Sequence, residues 1–374
     1  MSAAAPTLVF LAVRAVGVLM LRWLSVAHGQ RLRTSLSTWD GQWLLGIAAG
    51  GYDNTPTGLV DASNVRAVET PLAFFPGYPA AVASIRLLAG IEPLLAGLTV
   101  SLLAGLVMAH GLAQLGELVP GGSRRAGLLL VGLVAAAPMG VVWSMTYSES
   151  LFGACAVWAL VATLRRQWLL AGLTTALAGT VRPTSAALLL AVGGALVIAA
   201  LSWRDGWRPW AAGALAPIGL VGYLAYVAWR TGSVDGWFGI QRRGWNSHFD
   251  GGIATVRFSQ QVLLSGRSVL EVGTVVVLAG ALVMLVVCAR QALRGELPWP
   301  IVVFAAGVLA MGLGSNGLMN SKARLLLPAV TLLVPVATAL ARQRLATAMW
   351  ILAGVTLASA WFGGYALTEW PYAI

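Results

Sequence analysis

Charge is scarce in this chain of 374 residues: 10% of positions are charged and 58% are hydrophobic. A soluble domain carries about 25% charged residues, so a water-exposed globule is excluded. Lysine is nearly missing, Lys322 being the only one, and the net charge of +11 therefore rests on arginine. The arginines are scattered in short pairs between apolar runs, an arrangement that argues against nucleic-acid binding. The two cysteines, Cys155 and Cys288, lie inside apolar runs, which argues against a disulfide framework, a zinc site or a redox pair. No HExxH, CxxC, GxSxG or Gly-rich nucleotide loop occurs in a credible context. The alternation of apolar and polar residues that a membrane β-barrel needs is absent too.

What is present is a series of apolar runs of about 20 residues, each long enough to cross a bilayer as a helix. Spanning backbone must satisfy its own hydrogen bonds, so the fold class is an all-α polytopic membrane protein. About eleven spans are predicted, at 7–27, 94–117, 126–146, 150–164, 168–184, 186–202, 210–230, 269–289, 299–315, 325–341 and 345–367. The first run ends in Ser25-Val26-Ala27, small residues with a signal-cleavage spacing, but Arg14 and Arg22 interrupt it, which favours an uncleaved helix. With the N-terminus inside, the inner turns hold Arg124/Arg125, Arg165/Arg166, Arg204/Arg208, Arg290/Arg294 and Arg342/Arg344, as the positive-inside rule requires. That map holds only if residues 77–91, which contain Arg86 and stop at Glu92-Pro93, form an interfacial helix and do not cross. Most acidic residues then fall outside, where the loops 28–76 and 231–268 are long, so the chemistry is expected on the external face. The forty-four glycines fit close packing of membrane helices, and the whole chain reads as one domain.

Asp40 is the leading catalytic candidate, a carboxylate set between Trp39 and Trp43 at the membrane face. A carboxylate so placed can act as a base on a hydroxyl, and tryptophans both anchor at interfaces and stack on sugars. The plainer reading of Asp40 is a helix cap. Tyr52 and Asp53 offer sugar contacts, or a divalent-cation site shared with Asp40; a solvated loop is the alternative. The run Ala73-Phe74-Phe75-Pro76, with Pro79, suits the wall of a lipid groove or simple packing.

Tyr147 and Glu149 interrupt two apolar runs, and a glutamate at membrane depth is a functional candidate by default. Glu149 would bind acceptor hydroxyls or position a cation, unless Ser148 merely caps a helix that Glu149 begins. Arg182, Arg242, Arg243, Lys322 and Arg324 compete for a donor phosphate. Their alternatives are an ion pair with Glu149 for Arg182, lipid head groups for Arg242 and Arg243, and snorkelling for Lys322 and Arg324. His248 is either an acid–base group or a solvated loop residue.

The positions Trp39, Asp40, Trp43, Ile47, Ala48, Gly51 and Tyr52, followed by Ala73–Pro76 and Pro79, resemble the first external loop of the PIG-V-like mannosyltransferases. The run Tyr147-Ser148-Glu149-Ser150-Leu151-Phe152 is a second match. Weaker ones are Arg182, where the family's Arg-x-Asn-Gly becomes Arg182-Pro183-Thr184-Ser185, and Arg324 ahead of Pro328. The resemblance implies a GT-C-type bundle with external interfacial helices and an active site at the external membrane face. It implies transfer of mannose, with inversion, from a polyprenyl-phosphate donor to a hydroxyl of a lipid-linked or glycan acceptor. Asp40 would be the base, no cofactor is required with certainty, and a divalent cation stays open. The excess of arginine over lysine suggests a bacterial plasma membrane. A transporter or flippase of lipid-linked sugar and a non-catalytic assembly subunit are the rival classes; interrupted helices and internal repeats would favour the former.

Overall fold

The computed structural model describes residues 4–265, 268–370 and 372–373. Among them the regular elements are helical, apart from an isolated antiparallel bridge between Phe249 and Ser315. The chain begins with α1 (Ala5–Ala27), α2 (Leu32–Ser35), α3 (Asp40–Gly50), α4 (Gly77–Ala89), α5 (Pro93–Leu118) and α6 (Arg124–Ala135). It continues through α7 (Glu149–Leu164), α8 (Trp168–Val181), α9 (Ser185–Ser202), α10 (Arg208–Leu215), α11 (Ile218–Thr231) and α12 (Gly236–Trp245). It closes with α13 (Ile253–Ser265), α14 (Val269–Leu293), α15 (Trp299–Gly314), α16 (Lys322–Leu325), α17 (Val334–Ala341) and α18 (Leu345–Thr368).

Among the described residues six segments are long and apolar enough to cross a bilayer: α1, α5, α9, α10 with α11, α14 and α18. Residues 319–341 would add a seventh, bent by 65°. Three further apolar helices, α7, α8 and α15, have 16, 14 and 16 residues. At 1.5 Å per residue these are about 21–24 Å long, short of the ~30 Å hydrocarbon core. Helix α4, in the segment expected at the interface, has 13 residues and packs on α3 and α5.

Two of the expected uninterrupted spans are sharply broken, with proline the cause in both, and a third, 210–230, is nicked at Ala216-Pro217 between α10 and α11. Proline lacks an N–H and its ring clashes with the carbonyl four residues back. Within 126–146, Pro138 ends α6 at Ala135; Met139 turns left-handed (φ 60°) and Gly140–Ser144 winds as a 3₁₀ turn. Within 325–341, Pro328 ends α16 at Leu325, and a 3₁₀ turn over Val330–Leu333 leads into α17.

The carbonyls freed at the first break are taken by side chains. Arg14 of α1 is buried and donates from Nη1 to Ala135 O at 2.9 Å and from Nε to Ser144 Oγ at 2.9 Å. Ser359 of α18 donates to Ala137 O at 2.7 Å. Gly17 makes room for the guanidinium, since a Cβ there would sit 2.6 Å from Arg14 Nη2. Arg14 therefore closes a helix end, a stronger role than an interruption of the first span.

Around this junction α5 packs against α1, α4, α6 and α7, and α1 against α18. Phe10, Met108, Leu112, Trp143 and Phe152 form the fully buried centre. Helix α8 packs against α7, α10 and α11. The α8–α11 approach is so close that a Cβ on Gly219 would fall 1.8 Å from Ala176 O, the small-residue packing usual between membrane helices.

Arg14→Met should destabilise the protein by about 3 kcal/mol, the loss expected when a buried carbonyl and its charged donor are parted. Arg14→Lys should cost about half as much, because an ammonium reaches one of the two acceptors. Thermal unfolding in detergent checks both, and equal melting temperatures for all three proteins would refute the capping role.

Candidate active site

Asp40 is presented by the start of α3. Trp39 precedes it with φ 56° and ψ −121°, a turn that aims the first helical residue inward. The turn is stitched to the broken α6–α7 connection: Thr146 N donates to Leu36 O at 3.0 Å and Tyr147 Oη to Thr38 O at 3.1 Å. Gly41 allows the contact, because a Cβ there would lie 2.6 Å from Thr146 Oγ1. Burial first, then the neighbouring Asp40 carboxylate, pushes the Tyr147 phenol well up, so it stays a neutral donor. Asp40 makes no side-chain cap; it lies inside the first turn.

Four charged side chains alternate from Asp40 inward. Arg324 Nη1 donates to Asp40 Oδ2 at 2.7 Å, and its guanidinium lies 5.2 Å from the Tyr147 ring centre. Arg324 Nε lies 3.7 Å from Glu149 Oε1, and Arg182 Nη1 lies 2.7 Å from the same oxygen. The Glu149 side chain is fully buried and that of Asp40 keeps 30% of its surface exposed. Glu149 opens α7, where the helix dipole favours a carboxylate. Ser148 Oγ does not cap that helix and accepts instead from Arg182 Nη1 at 3.0 Å.

The ion pairs leave hydrogen-bonding capacity over. The 2.7 Å Arg182–Glu149 approach lacks a hydrogen bond's alignment, so among the described residues both Glu149 oxygens have no aligned donor. Among the described residues Arg182 Nε, Arg324 Nε and Ser185 Oγ are buried without a hydrogen-bond partner as well. Buried charges that are paired but under-bonded contribute little stability, and their presence here points to chemistry.

Asp40, Tyr147, Ser148, Arg182 and Arg324 line one end of a cavity of about 540 Å³. The remaining wall is largely apolar and aromatic, with Phe74 and Phe75 on one side, Leu220 and Leu224 of α11, and Trp237 and Trp245 of α12. Gln241, His248 and Asn316 are polar groups on the same wall. Of the groove-wall run, Ala73, Phe74 and Phe75 thus reach the cavity.

Other sequence candidates lie elsewhere. Trp43 is buried behind the wall, stacked on Phe74 at 5.5 Å with the Arg66 guanidinium 5.2 Å from its ring centre. Tyr52 donates to Phe74 O at 2.8 Å and stacks on Tyr223, so it supports the wall from outside. Trp39 is half-exposed and off the cavity. Asp53 pairs with Arg230, Arg242 with Asp235, and Arg243 with Glu69 at 2.8 Å, all at exposed positions. The Ser233 hydroxyl, and then Arg242, hold the Asp235 carboxyl below its ordinary range. Asp40 and Asp53 are thus held by different arginines, Arg324 and Arg230, and no group of three His, Cys, Asp or Glu side chains that could hold a metal ion forms among the described residues. Lys322 is fully buried and donates to Gly312 O at 2.7 Å, to Ser315 O and to Ser315 Oγ at 3.1 Å, so it closes the end of α15.

The α12 wall and residues 315–318 are what the sequence reading did not select. The segment that follows α12 is joined to residues 314–316 by backbone: Asp250 N donates to Gly314 O at 2.9 Å and Asn316 N to His248 O at 2.7 Å. The N–H groups of Ala254 and Gly252 hold the Asp250 carboxyl below its ordinary range and pin the turn into α13. Pairing over more than sixty residues leaves no periodic trace in a sequence.

No known family profile matches the chain, and no curated protein sequence matches it. Among solved structures the fold is similar to the crystal structure of ArnT from Cupriavidus metallidurans in the apo state. The TM-score is 0.54 at 15% identity, over 94% of this chain and 74% of that one. At this identity the likeness shows the fold alone, a polytopic helical membrane fold.

Proposed function

We propose that the chain is a membrane mannosyltransferase that moves mannose from a polyprenyl-phosphate donor to a hydroxyl of a lipid-linked or glycan acceptor, with inversion, at the external face. One observation carries the reading: a carboxylate, Asp40, and two arginines, Arg182 and Arg324, meet at the charged end of an apolar, aromatic cavity. A lipid-linked sugar has the same polarity, with a greasy chain, an anionic phosphate and a hydroxyl-rich ring. The GT-C-type fold supports glycosyl transfer from such a donor, and the motifs around Asp40 and Glu149 support mannose.

In the reaction the acceptor oxygen attacks the anomeric carbon while its proton passes to Asp40. The bond between that carbon and the phosphate oxygen breaks, and its electron pair leaves with the phosphate. Arg324 and Arg182 face the charge that grows there, and a guanidinium preorganised in a water-poor site stabilises it more than a solvated ammonium would. Attack opposite the leaving group inverts the centre. Trp237, Trp245 and Phe74 supply aromatic surface for the sugar or the lipid chain.

Asp40→Asn should lower transfer of labelled mannose from polyprenyl-phosphate-mannose about a hundredfold or more, with no loss of lipid-phosphate binding. Translocation of the lipid without transfer, by the unaltered protein, would establish the flippase class.

Arg324→Lys should cost about tenfold or more in rate, because a point charge cannot match a fork. Arg242→Lys and Arg243→Lys, in exposed ion pairs off the cavity, should stay within about twofold. The reverse pattern would move the phosphate site to α12.

For the external face, a cysteine at the exposed Asn54 should react with an impermeant thiol reagent in intact cells, and one at the exposed Arg166 only after permeabilisation. Reaction of both in intact cells would refute the orientation.

A further inference from the structure

We propose that the Asp40–Arg324 ion pair is the resting state of the site, and that an incoming lipid phosphate takes Arg324 from Asp40 and thereby frees the base. The inference rests on the reading of the cavity as a glycosyltransferase site.

As it stands, the geometry opposes the task given to Asp40. A guanidinium held 2.7 Å from Oδ2 occupies the oxygen that would have to take the acceptor's proton. The groups closest to Asp40 are Arg324, the neutral Tyr147 phenol and, beyond Arg324, Glu149. The formal charges of Asp40, Glu149, Arg182 and Arg324 add to zero, so an entering phosphodiester finds no spare cation among these four. It must displace a carboxylate.

The two carboxylates are not equally displaceable. Glu149 is fully buried between Arg182 and Arg324, and stripping it of a guanidinium would strand a charge with no water to receive it. Asp40 faces the cavity with 30% of its side chain exposed, so losing Arg324 leaves it in contact with incoming substrate and water. Arg324 is therefore the cation that can be exchanged, while Arg182 stays on Glu149. Once the phosphate holds Arg324, Asp40 Oδ2 loses its guanidinium and is open to the acceptor hydroxyl. The donor makes its own base, and binding is ordered: lipid phosphate first, acceptor second. After transfer, the lipid phosphate departs, Asp40 gives up the acceptor's proton to water, and the pair closes again.

The test is equilibrium binding of farnesyl phosphate to the full chain in lipid nanodiscs. Removing the competing carboxylate with Asp40→Asn should tighten binding about tenfold, and Asp40→Ser should do the same should the first variant not accumulate folded. Arg324→Gln added to either variant should abolish the gain. Equal or weaker binding by the Asp40 variants, with the unaltered protein still binding, would overturn the exchange and leave the functional reading intact. Absence of farnesyl phosphate binding to every form would overturn both.

Discussion

In hydrocarbon, a helix that stops must find partners for the carbonyls it exposes, and much of this structure follows from how two such stops are closed. Pro138 ends α6, and Arg14 and Ser359 answer the freed carbonyls of Ala135 and Ala137. At the end of α15, Lys322 answers Gly312 and Ser315. Both cations are buried and bonded chiefly to neutral oxygens, an arrangement tolerable only because several dipoles share each charge. The first closure fixes the run that carries Tyr147 and Glu149. The second fixes the turn that carries Arg324. The site sits where these two irregular segments meet the start of α3.

The division of labour among the charged groups follows from burial. Of the exposed pairs, Arg243–Glu69 ties α12 to the segment before Thr70 and Arg242–Asp235 ties it to its own N-cap, and each is worth little. The buried alternation from Asp40 to Arg182 is different, since each member depends on the next and removal of one strands another. Such a chain is under-bonded by ordinary standards, since both Glu149 oxygens and the Nε atoms of Arg182 and Arg324 lack aligned partners among the described residues. It is poor as scaffolding and suited to receiving an anion.

Legibility in the sequence depends on whether a residue's neighbours are local. An apolar chain makes each isolated charge conspicuous, so Asp40, Glu149, Arg182 and Arg324 stand out from the sequence alone, and they form one cluster. The helical membrane fold is legible for the same reason, from the lengths of the apolar runs. The breaks at Pro138 and Pro328 are written in the sequence but outweighed there by hydropathy. The partners of Asp53 and Arg243, and the wall formed by Trp237, Trp245 and Asn316, depend on long-range folding that no spacing encodes, whereas Arg242 and Lys322 bond to groups seven to ten residues away.

The solitary lysine has a practical corollary. Its ammonium is sealed beneath Gly312 and Ser315, and no other side chain of the sequence offers an amine to an acylating reagent. Slow acylation at Lys322 therefore becomes a native clock for the opening of the α15–α16 junction. The chain reports the motion of one cavity wall through a single chemical event, without any engineered label.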